Sequence, residues 1–362
     1  MIKYIDLFCG IGGFRIGVTQ IFTKYGIPAK CVFSSDIDPY ARETYYANFG
    51  EYPAGDITQI DENEIPDHNL LLAGFPCQPF SIIGNGKGFD DTRGTLFFDI
   101  ARILAAKKPD AFILENVKRL AGHDQGRTLQ KISKVLTDLG YYFDYRVLNA
   151  LDYGLPQKRE RIFIVGFRKP VLFQWPMKQS TRLSLEDILE TNVDPKYYAS
   201  ERIRRKRRES HSPDCKPSVW HENKAGHVSS YPYSCALRAG ASHNYLLVNG
   251  ERRLTPREML RLQGFPDTFK IVVSDAQIKK QTGNAVPVNV VRAVTEAFLP
   301  HLVKMPETYS GKQALDSNGR RQFQRAQFPK ESCVSPKNAG LDDVTLLKTI
   351  DFDKSWVAAA AR

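Results

Sequence analysis

The sequence predicts an α/β fold whose first and larger part is built on a parallel sheet, and three observations carry this prediction. Short apolar runs alternate with segments of helical periodicity over residues 1–168, which is the pattern of consecutive strand–helix–strand units. Chemically unusual residues follow several apolar runs, at the edge where open α/β sheets place their ligand crevice. After Arg168, prolines interrupt the chain and periodicity weakens, so we expect a second, smaller domain there.

Periodicity and capping residues assign the elements in chain order. Apolar residues between positions 97 and 104 recur at the i, i+3, i+4, i+7 spacing of a helix with one buried face. Residues 255–258 (Thr-Pro-Arg-Glu) form a capping box that begins a later helix. A further helix has its apolar face on residues 286–297. The predicted strands cover residues 3–8, 30–35, 70–74, 111–115, 142–148 and 161–167.

The composition narrows the possible classes of function. The 362 residues include 51 basic and 40 acidic side chains, a formal net charge of +11, and 42% of them are hydrophobic. That hydrophobic content excludes a disordered, collagen-like or membrane-embedded chain as a whole. The positive charge favours a polyanionic partner such as nucleic acid. A basic enzyme that acts on small substrates is the alternative.

Cysteine spacing and the chain ends bear on location. None of the six cysteines forms a C-x-x-C pair, so the sequence predicts neither a zinc site nor a disulfide framework, and a reducing compartment follows. We find no signal-peptide core at the N-terminus and no apolar stretch long enough to span a bilayer. We therefore expect a soluble protein that is cytoplasmic, or nuclear if its source is eukaryotic, with an accessory or partly disordered tail at residues 305–362.

A glycine loop, Asp6 to Phe14, follows the first predicted strand and begins the first helix. Its glycines, Gly10 among them, allow the backbone to approach a nucleotide closely. The dinucleotide fingerprint requires glycine where Arg15 stands, which disfavours a pyrophosphate. Asp36 follows the second strand, where a carboxylate can accept hydrogen bonds from a ribose, and Asp56 is a further candidate. Either carboxylate alone is equally typical of a turn, but the combination describes a pocket for an adenosine without a pyrophosphate.

Two reactive side chains follow the next two strands. Cys77 stands between two prolines. A lone cysteine is most often a small buried hydrophobe, but here the prolines restrict the loop and would project the thiol into the crevice, where positive charge lowers its pKa. Glu115 ends a buried strand, where desolvation raises the pKa of a carboxyl and suits it to general-acid work.

Two basic segments each have two interpretations. Residues 157–161 (Gln-Lys-Arg-Glu-Arg) precede the last strand of the sheet. Their arginines can orient a carboxylate or clamp a phosphate, or the segment is a solvated charge cluster. Six basic side chains among residues 202–208 either contact nucleic-acid phosphates or form a solvated face.

Seven motifs in order resemble those of the DNA (cytosine-5)-methyltransferases, and most closely the compact bacterial restriction–modification enzymes. The resemblance covers residues 1–304, and seven modest motifs in register are specific together. They occupy residues 6–17, Pro76-Cys77-Gln78, residues 91–99, Glu115-Asn116-Val117, residues 157–161, Arg257-Glu258 with residues 263–266, and residues 283–286.

The resemblance implies the fold of the S-adenosylmethionine-dependent methyltransferases, a Rossmann-like mixed sheet with helices on both faces. It adds a smaller, mostly irregular or β target-recognition domain. The implied divisions are a catalytic, cofactor-binding domain at 1–171, the recognition domain at 172–277 and a returning catalytic helix at 278–304. The implied partner is double-stranded DNA, bound by a monomer, with no membrane and no metal.

The resemblance also assigns roles in catalysis. Family members attack C6 of an extruded cytosine with a cysteine thiolate, which corresponds to Cys77. Glu115 matches the glutamate that binds the cytosine at N3, and Arg161, with Arg159 beside it, matches the arginine that holds the base. C5 then takes the methyl group from S-adenosylmethionine, and loss of the C5 proton releases the thiolate. DNA contacts at Gln78 and Ser81 are implied, in the loop that closes over the base.

Cofactor contacts also follow from motif position. At Ile37 the sequence departs from the family pattern, because many members have a bulkier side chain against the adenine. Residues 235–237 (Cys-Ala-Leu) depart from the Thr-Leu pair common in the recognition domain. The implied contacts are Phe8, Gly10, Gly13, Asp36, Ile37, Asp56, Ile57, Pro76, Leu96, Asn284 and Ala285.

Two alternative functions stay open at this point. One is a tRNA cytosine-5 methylase on the same core, and the other is a DNA-binding regulator that has lost catalysis. The basic second domain favours DNA over tRNA. The presence of Cys77, Glu115 and Arg161 together argues against a regulator.

We expect the Cys77→Ser variant to bind S-adenosylmethionine and DNA but to lose methyl transfer, because the hydroxyl is a far weaker nucleophile than a thiolate. With DNA that contains 5-fluorocytosine, the wild-type protein should form a covalent adduct that survives denaturing electrophoresis, and the variant should form none. Full turnover by the variant would remove Cys77 from the mechanism.

Overall fold

A central six-stranded sheet organises the computed structural model, which describes residues 1–76 and 96–303. The predicted site residues Cys77, Gln78 and Ser81 and the predicted tail lie outside the described residues. Within the described ranges, no helix is both long and apolar enough to cross a membrane.

The strand order of the central sheet is β2-β1-β3-β4-β7-β5. All six predicted strands are present, but the expectation of a parallel sheet is wrong for β7, which is antiparallel to both β4 and β5. The sheet is therefore mixed, as the family resemblance implies. Its strands are β1 (Ile2–Leu7), β2 (Ala29–Ser35), β3 (Leu70–Gly74), β4 (Ala111–Val117), β5 (Tyr142–Asn149) and, after the short β6 (Gln157–Lys158), β7 (Glu160–Phe167).

Helices cover both faces of this sheet, because alternate residues of each central strand point to opposite sides. On one face, α1 (Gly13–Lys24) packs with the C-terminal helix against side chains such as Leu72 and Ile113. On the other face, α3 (Leu96–Lys107) and α4 (Arg127–Asp138) pack against Leu71 and Phe112. The helices beyond these are α2 (Pro39–Phe49), α5 (Glu201–Ser210), α6 (Pro256–Leu262), α7 (Asp275–Asn284) and α8 (Val288–Leu302).

Two of the helix starts follow the sequence rules closely. The predicted capping box is confirmed at α6, where Thr255 and Glu258 each bond the other's backbone N–H. At α2, the Asp38 carboxylate accepts from the backbone N–H of Tyr40 and Ala41, and Pro39 occupies the first helical position. These caps satisfy backbone donors that would otherwise be left unpaired.

The region after Arg168 has a separate hydrophobic cluster. A three-stranded antiparallel sheet, in the order β11-β8-β9, contributes Val219, Leu246 and Val248 to this cluster, and α6 and α7 contribute Met259 and Ile278. A separate two-stranded parallel sheet, of β10 with β6, joins the region to the segment that precedes β7. The strands are β8 (Val219–Glu222), β9 (Val228–Tyr231), β10 (Ser234–Cys235) and β11 (Leu246–Val248).

The junction between β4 and β7 gives a test of the packing. Gly166 lies opposite Phe112, and a Cβ at Gly166 would stand 2.1 Å from the Phe112 ring, which is fully buried. We expect Gly166→Ala to lower the free energy of unfolding by about 2 kcal/mol, because overpacking a core costs about 1–3 kcal/mol. Urea unfolding measures the loss.

The matched control is Gly122→Ala, because a Cβ at Gly122 meets nothing within 4 Å. We expect this change to stay within about 0.5 kcal/mol of the wild type. Equal stability of the two variants would contradict the packing between β4 and β7.

Candidate active site

An ion pair between Glu115 and Arg161 lies at the carboxyl end of β4. The Nε atom of Arg161 is 2.9 Å from Oε1 of Glu115, and the two side chains are 15% and 9% exposed. In the antiparallel pairing Arg161 lies opposite Val117, two residues beyond Glu115 on the same face. Such diagonal neighbours are within reach of long side chains, so the register of β4 and β7 itself forms the pair.

The electrostatics of Glu115 reflect opposing contributions. Burial raises the pKa of its carboxyl above the ordinary value, and the charges of Arg161 and Arg159 oppose that rise. One acidic and two basic side chains therefore share this buried edge of the sheet, which leaves an excess of positive charge. Gly74 lies opposite Glu115 in the pairing of β3 with β4, and a Cβ at Gly74 would stand 3.7 Å from a carboxylate oxygen of Glu115, in ordinary van der Waals contact.

Arg159 differs from Arg161 in its contacts. It is 1% exposed, and its Nη atoms donate to the backbone carbonyls of Leu237, Gly283 and Ala285 at 3.0, 3.0 and 2.7 Å. Burial, together with the charge of Arg161, lowers its pKa to about 9, so the guanidinium stays protonated at neutral pH. Because both Nη atoms are already used, a role in organising the protein fits these contacts better than the predicted direct contact with a base.

The segment that leads toward Cys77 is tied to the same edge. Asn116 donates from Nδ2 to the carbonyl of Phe75 at 2.8 Å, and it is itself buried. Asn116 has no predicted role beyond its place in a motif. Its contact fixes the chain two residues before Cys77, although Cys77 itself lies outside the described residues.

The glycine loop follows β1, at the same carboxyl edge of the sheet where β4 delivers Glu115. Phe8, Gly10 and Gly12 have φ values of 54°, 53° and 82°, a left-handed conformation that favours glycine. A Cβ at Gly10 would meet nothing within 4 Å, so the loop leaves open space there. Gly13 packs so closely on Val286 that a Cβ would stand 2.8 Å from its side chain, which brings the predicted contacts at 284–285 beside the loop.

The predicted ribose carboxylate is held beside this loop. The two oxygens of Asp36 accept from the backbone N–H of Gly10 and of Asp38, each at 2.8 Å. Ile37 follows with its side chain 71% exposed. An exposed apolar side chain next to an oriented carboxylate, at an open glycine loop, fits an adenosine group with its base against Ile37 and its ribose at Asp36.

The other predicted cofactor residues are connected to this pocket through neighbouring segments. The backbone N–H of Asp36 donates to the carbonyl of Ala54, two residues before Asp56. Asp56 caps a short turn by accepting from Thr58, and it is therefore also the turn residue that its sequence context predicts. Ile57 is buried, Leu96 begins α3, Ala285 is buried, and Pro76 and Asn284 are exposed.

Two buried glutamines were missed as site residues. Gln157 donates from Nε2 to the carbonyl of Leu262 at 2.7 Å and accepts from the backbone N–H of Leu237 at 3.1 Å. Gln263 donates to the carbonyl of Thr282. Both glutamines belong to the motifs named above. Gln263 stands beside apolar residues, which could have marked it as buried, whereas Gln157 is followed by four charged residues and its sequence context gave no such signal.

The basic segment at 202–208 forms most of α5, and its charges are mostly paired within the protein. Arg204 and Arg208 each contact both Glu201 and Glu251. Lys206 and Arg207 share Glu222, and Arg205 contacts Glu209. These pairs favour the interpretation of this segment as a solvated face over direct contact with phosphates.

The sheet order with its one reversed strand, the glycine loop with Asp36, and the Glu115–Arg161 pair at the same edge define an α/β methyltransferase. The sequence model of the C-5 cytosine-specific DNA methylases matches residues 2–299. The chain therefore belongs to that family, and it is a DNA cytosine-5 methyltransferase.

Relatives of known activity agree with this assignment. The chain is 57% identical to the type II methyltransferase M.NgoBI of Neisseria gonorrhoeae over 297 residues, which cover 81% of this chain and 92% of that protein. It is 55% identical to M.HaeII of Haemophilus aegyptius over 83% of this chain and 93% of that protein. It is 40% identical to M.HhaI of Haemophilus parahaemolyticus, over 81% and 93%.

Solved structures support the fold. A methyltransferase of Entamoeba histolytica, EhMeth, superposes with a TM-score of 0.64 at 18% identity, over 83% of this chain and 98% of that one. A DNMT2 variant of Spodoptera frugiperda gives 0.64 at 21% identity, over 83% and 99%. At such identities the likeness bears on the fold alone.

The Glu115–Arg161 pair predicts a pH-dependent stability. Without Arg161, the pKa of the buried Glu115 carboxyl should rise further. Such a carboxyl binds its proton more tightly in the folded protein than in the unfolded chain. Its contribution to the free energy of unfolding is therefore complete below the pKa of the unfolded state and is lost as the pH rises through the pKa of the folded state. We expect Arg161→Leu to lower the free energy of unfolding by about 3 kcal/mol at pH 8, where a buried charge loses its partner, and by clearly less at pH 5.

Urea unfolding at the two pH values measures this difference. Adding Glu115→Gln to Arg161→Leu removes the titrating group and should make the loss equal at both pH values. A loss of equal size at pH 5 and pH 8 in the single variant would contradict the coupling of the two side chains.

Proposed function

We propose that this DNA cytosine-5 methyltransferase modifies cytosine within one specific duplex sequence, as the modification enzyme of a restriction–modification system. The observation that carries the proposal is the buried Glu115–Arg161 pair at the edge of the sheet where the chain continues toward Cys77. The relatives named above are type II methyltransferases. The proposed substrate is host DNA, which places the enzyme in the bacterial cytoplasm, in contact with the nucleoid.

In the proposed mechanism, the target cytosine leaves the duplex, because C6 is inaccessible within stacked bases. The Cys77 thiolate adds to C6 and moves the electron pair of the C5–C6 bond toward N3. Glu115, whose raised pKa favours a proton on its carboxyl, donates a hydrogen bond or proton at N3. Arg161 orients Glu115 and holds the base, and the excess of positive charge stabilises negative charge that develops on the ring.

S-adenosylmethionine, when bound, supplies the methyl group that C5 takes. The residues proposed to hold it are the glycine loop at Phe8, Gly10 and Gly13, the ribose carboxylate of Asp36 and the apolar surface of Ile37. Base-assisted loss of the C5 proton then restores the C5–C6 double bond and expels the Cys77 thiolate. Any proton that Glu115 gave to N3 returns to its carboxylate, so the protein regains its starting state. Asp56, Ile57, Pro76, Leu96, Asn284 and Ala285 are proposed to complete the pocket wall.

The proposal also divides the chain by role. Residues 1–171 and 278–304 are proposed to form the catalytic domain, supported by the packing of α8 on α1. Residues 172–277 are proposed to recognise the DNA sequence, supported by their small antiparallel sheet and separate apolar cluster. Gln78 and Ser81 stay predicted DNA contacts, and a monomeric enzyme without a metal stays part of the prediction.

Bisulfite sequencing tests the proposal directly. A bacterial host that lacks cytosine methylation is expected, after expression of the wild-type protein, to carry 5-methylcytosine at one position of one recurring sequence. Expression of Glu115→Gln serves as the control and should leave that sequence unmethylated. Methylation confined to tRNA would favour the RNA alternative, and binding of DNA with no methylation of any nucleic acid would favour the regulator.

A further inference from the structure

A group of buried polar side chains joins three parts of the chain that lie far apart in sequence. Arg159 donates to the carbonyl of Leu237 on one side and to the carbonyls of Gly283 and Ala285 on the other. These bonds connect the start of β7 with the segment after β10 and with the turn between α7 and α8. Both Nη atoms of its guanidinium thus donate to backbone carbonyls.

Gln157 also binds the backbone of Leu237. It accepts from the backbone N–H of Leu237, while Arg159 donates to the backbone carbonyl of Leu237, so both polar backbone groups of this residue are bound by side chains. The Leu237 side chain is itself 3% exposed. The same two segments are also joined by β-sheet pairing just before Leu237, where Ser234 and Cys235 lie opposite Gln157 and Lys158. The position of Leu237 relative to β7 is therefore set by buried bonds rather than by a surface loop.

The residues that follow Leu237 form a surface segment, residues 238–244, whose one permanently charged side chain is that of Arg238. Arg238, Ser242 and His243 are exposed. Gly283 packs against the base of the segment so closely that a Cβ would stand 2.2 Å from the backbone nitrogen of Ala239. The segment thus has a fixed base and an exposed tip.

A cavity beside the segment has a lining that is largely apolar, and most of its charged side chains are basic. Its volume is about 280 Å³, and Arg238 and His243 line it together with Lys196, Arg253 and Lys279, while Asp275 is the acidic residue of the lining. Basic side chains beside a segment with a fixed base suit the phosphates of a duplex whose cytosine enters the crevice.

We propose that Arg159 and Gln157 are positioning residues that set the sequence specificity of the enzyme, by fixing the 238–244 segment relative to Glu115 and Arg161. This inference rests on the proposed function. Arg161 lies two residues after Arg159, and the 238–244 segment follows Leu237. The bond from Arg159 to Leu237 therefore connects the segment proposed to contact the DNA sequence with the arginine proposed to hold the cytosine. A rigid link means that a cytosine reaches Glu115 only when the segment lies in register with the correct neighbouring bases. A loose link allows incorrect sequences to deliver their cytosines as well.

The experiment uses two variants and a matched control. Arg159→Lys keeps the charge but replaces the two Nη atoms by one nitrogen, which cannot reach Leu237 on one side and Gly283 and Ala285 on the other. Gln157→Met keeps the volume but removes the bonds to Leu237 and Leu262. The control is Arg168→Lys, at the other end of β7, because Arg168 is also buried and donates to a backbone carbonyl, that of Lys108. Full-length proteins methylate a pool of duplexes with randomised sequence, and bisulfite sequencing then gives the rate at every sequence.

The expected result is a change in discrimination. The wild type and Arg168→Lys should share one recognition sequence and reject single mismatches to the same degree. Both Arg159→Lys and Gln157→Met should lower the ratio of correct to single-mismatch methylation about tenfold. This factor is comparable with the discrimination that a DNA-binding protein commonly achieves at one base pair. A modest rise in KM for DNA should accompany it, and kcat on the correct sequence should fall less than the ratio.

A purely structural role gives a different outcome. Variants that lose rate equally on all sequences, with the ratio of the wild type, overturn the proposal. If Arg159→Lys fails to fold, as judged by urea unfolding, the ratio for Gln157→Met decides alone. If the wild type methylates no member of the pool, the proposed function fails and this inference fails with it. If the wild type is active and selective and both variants keep its ratio of correct to single-mismatch methylation, this inference fails while the proposed function stands.

Discussion

The site depends on one constraint, the reversed direction of β7 in an otherwise parallel sheet. Because β7 is antiparallel to β4, its amino-terminal end lies at the edge where β4 delivers Glu115. A parallel β7 would bring Phe167 to that edge and carry Arg161 to the opposite one. The ion pair, the bonds of Arg159 and the attachment of β10 all follow from this single reversal.

The sequence predicted the strands well and their directions less well, for a physical reason. Alternating or continuous apolar residues report which side chains are buried, and that pattern is the same whichever way a strand runs. Direction is decided by connections and by partners distant in sequence. The family resemblance supplied the mixed sheet that periodicity alone did not. The acidic residues at strand ends could be placed, because the carboxyl edge of β1, β2 and β4 is common to all three strands.

The motif that contains Arg159 and Arg161 does not indicate that the two side chains have different partners. Two residues apart, Arg159 and Arg161 would share a face on a regular strand. The backbone N–H of Arg159 instead donates to the carbonyl of Gln157, and the chain bends between β6 and β7. One arginine then points to Glu115 and the other to backbone carbonyls. Arg15 gives a parallel case, because the residue that breaks the dinucleotide fingerprint is a buried partner of Glu51 and Tyr45.

The packing of α8 on α1 has a consequence for how the protein is made. The first helix of the chain shares its apolar face with the last described helix, and Lys24 contacts Glu296 across that seam. During synthesis α1 leaves the ribosome long before α8 is made. The apolar face of α1 therefore stays exposed to solvent while the rest of the chain is translated. Contacts this distant in sequence form slowly and leave surfaces prone to aggregation. We therefore expect the nascent enzyme to need chaperone protection, and to become active only when translation has passed residue 302.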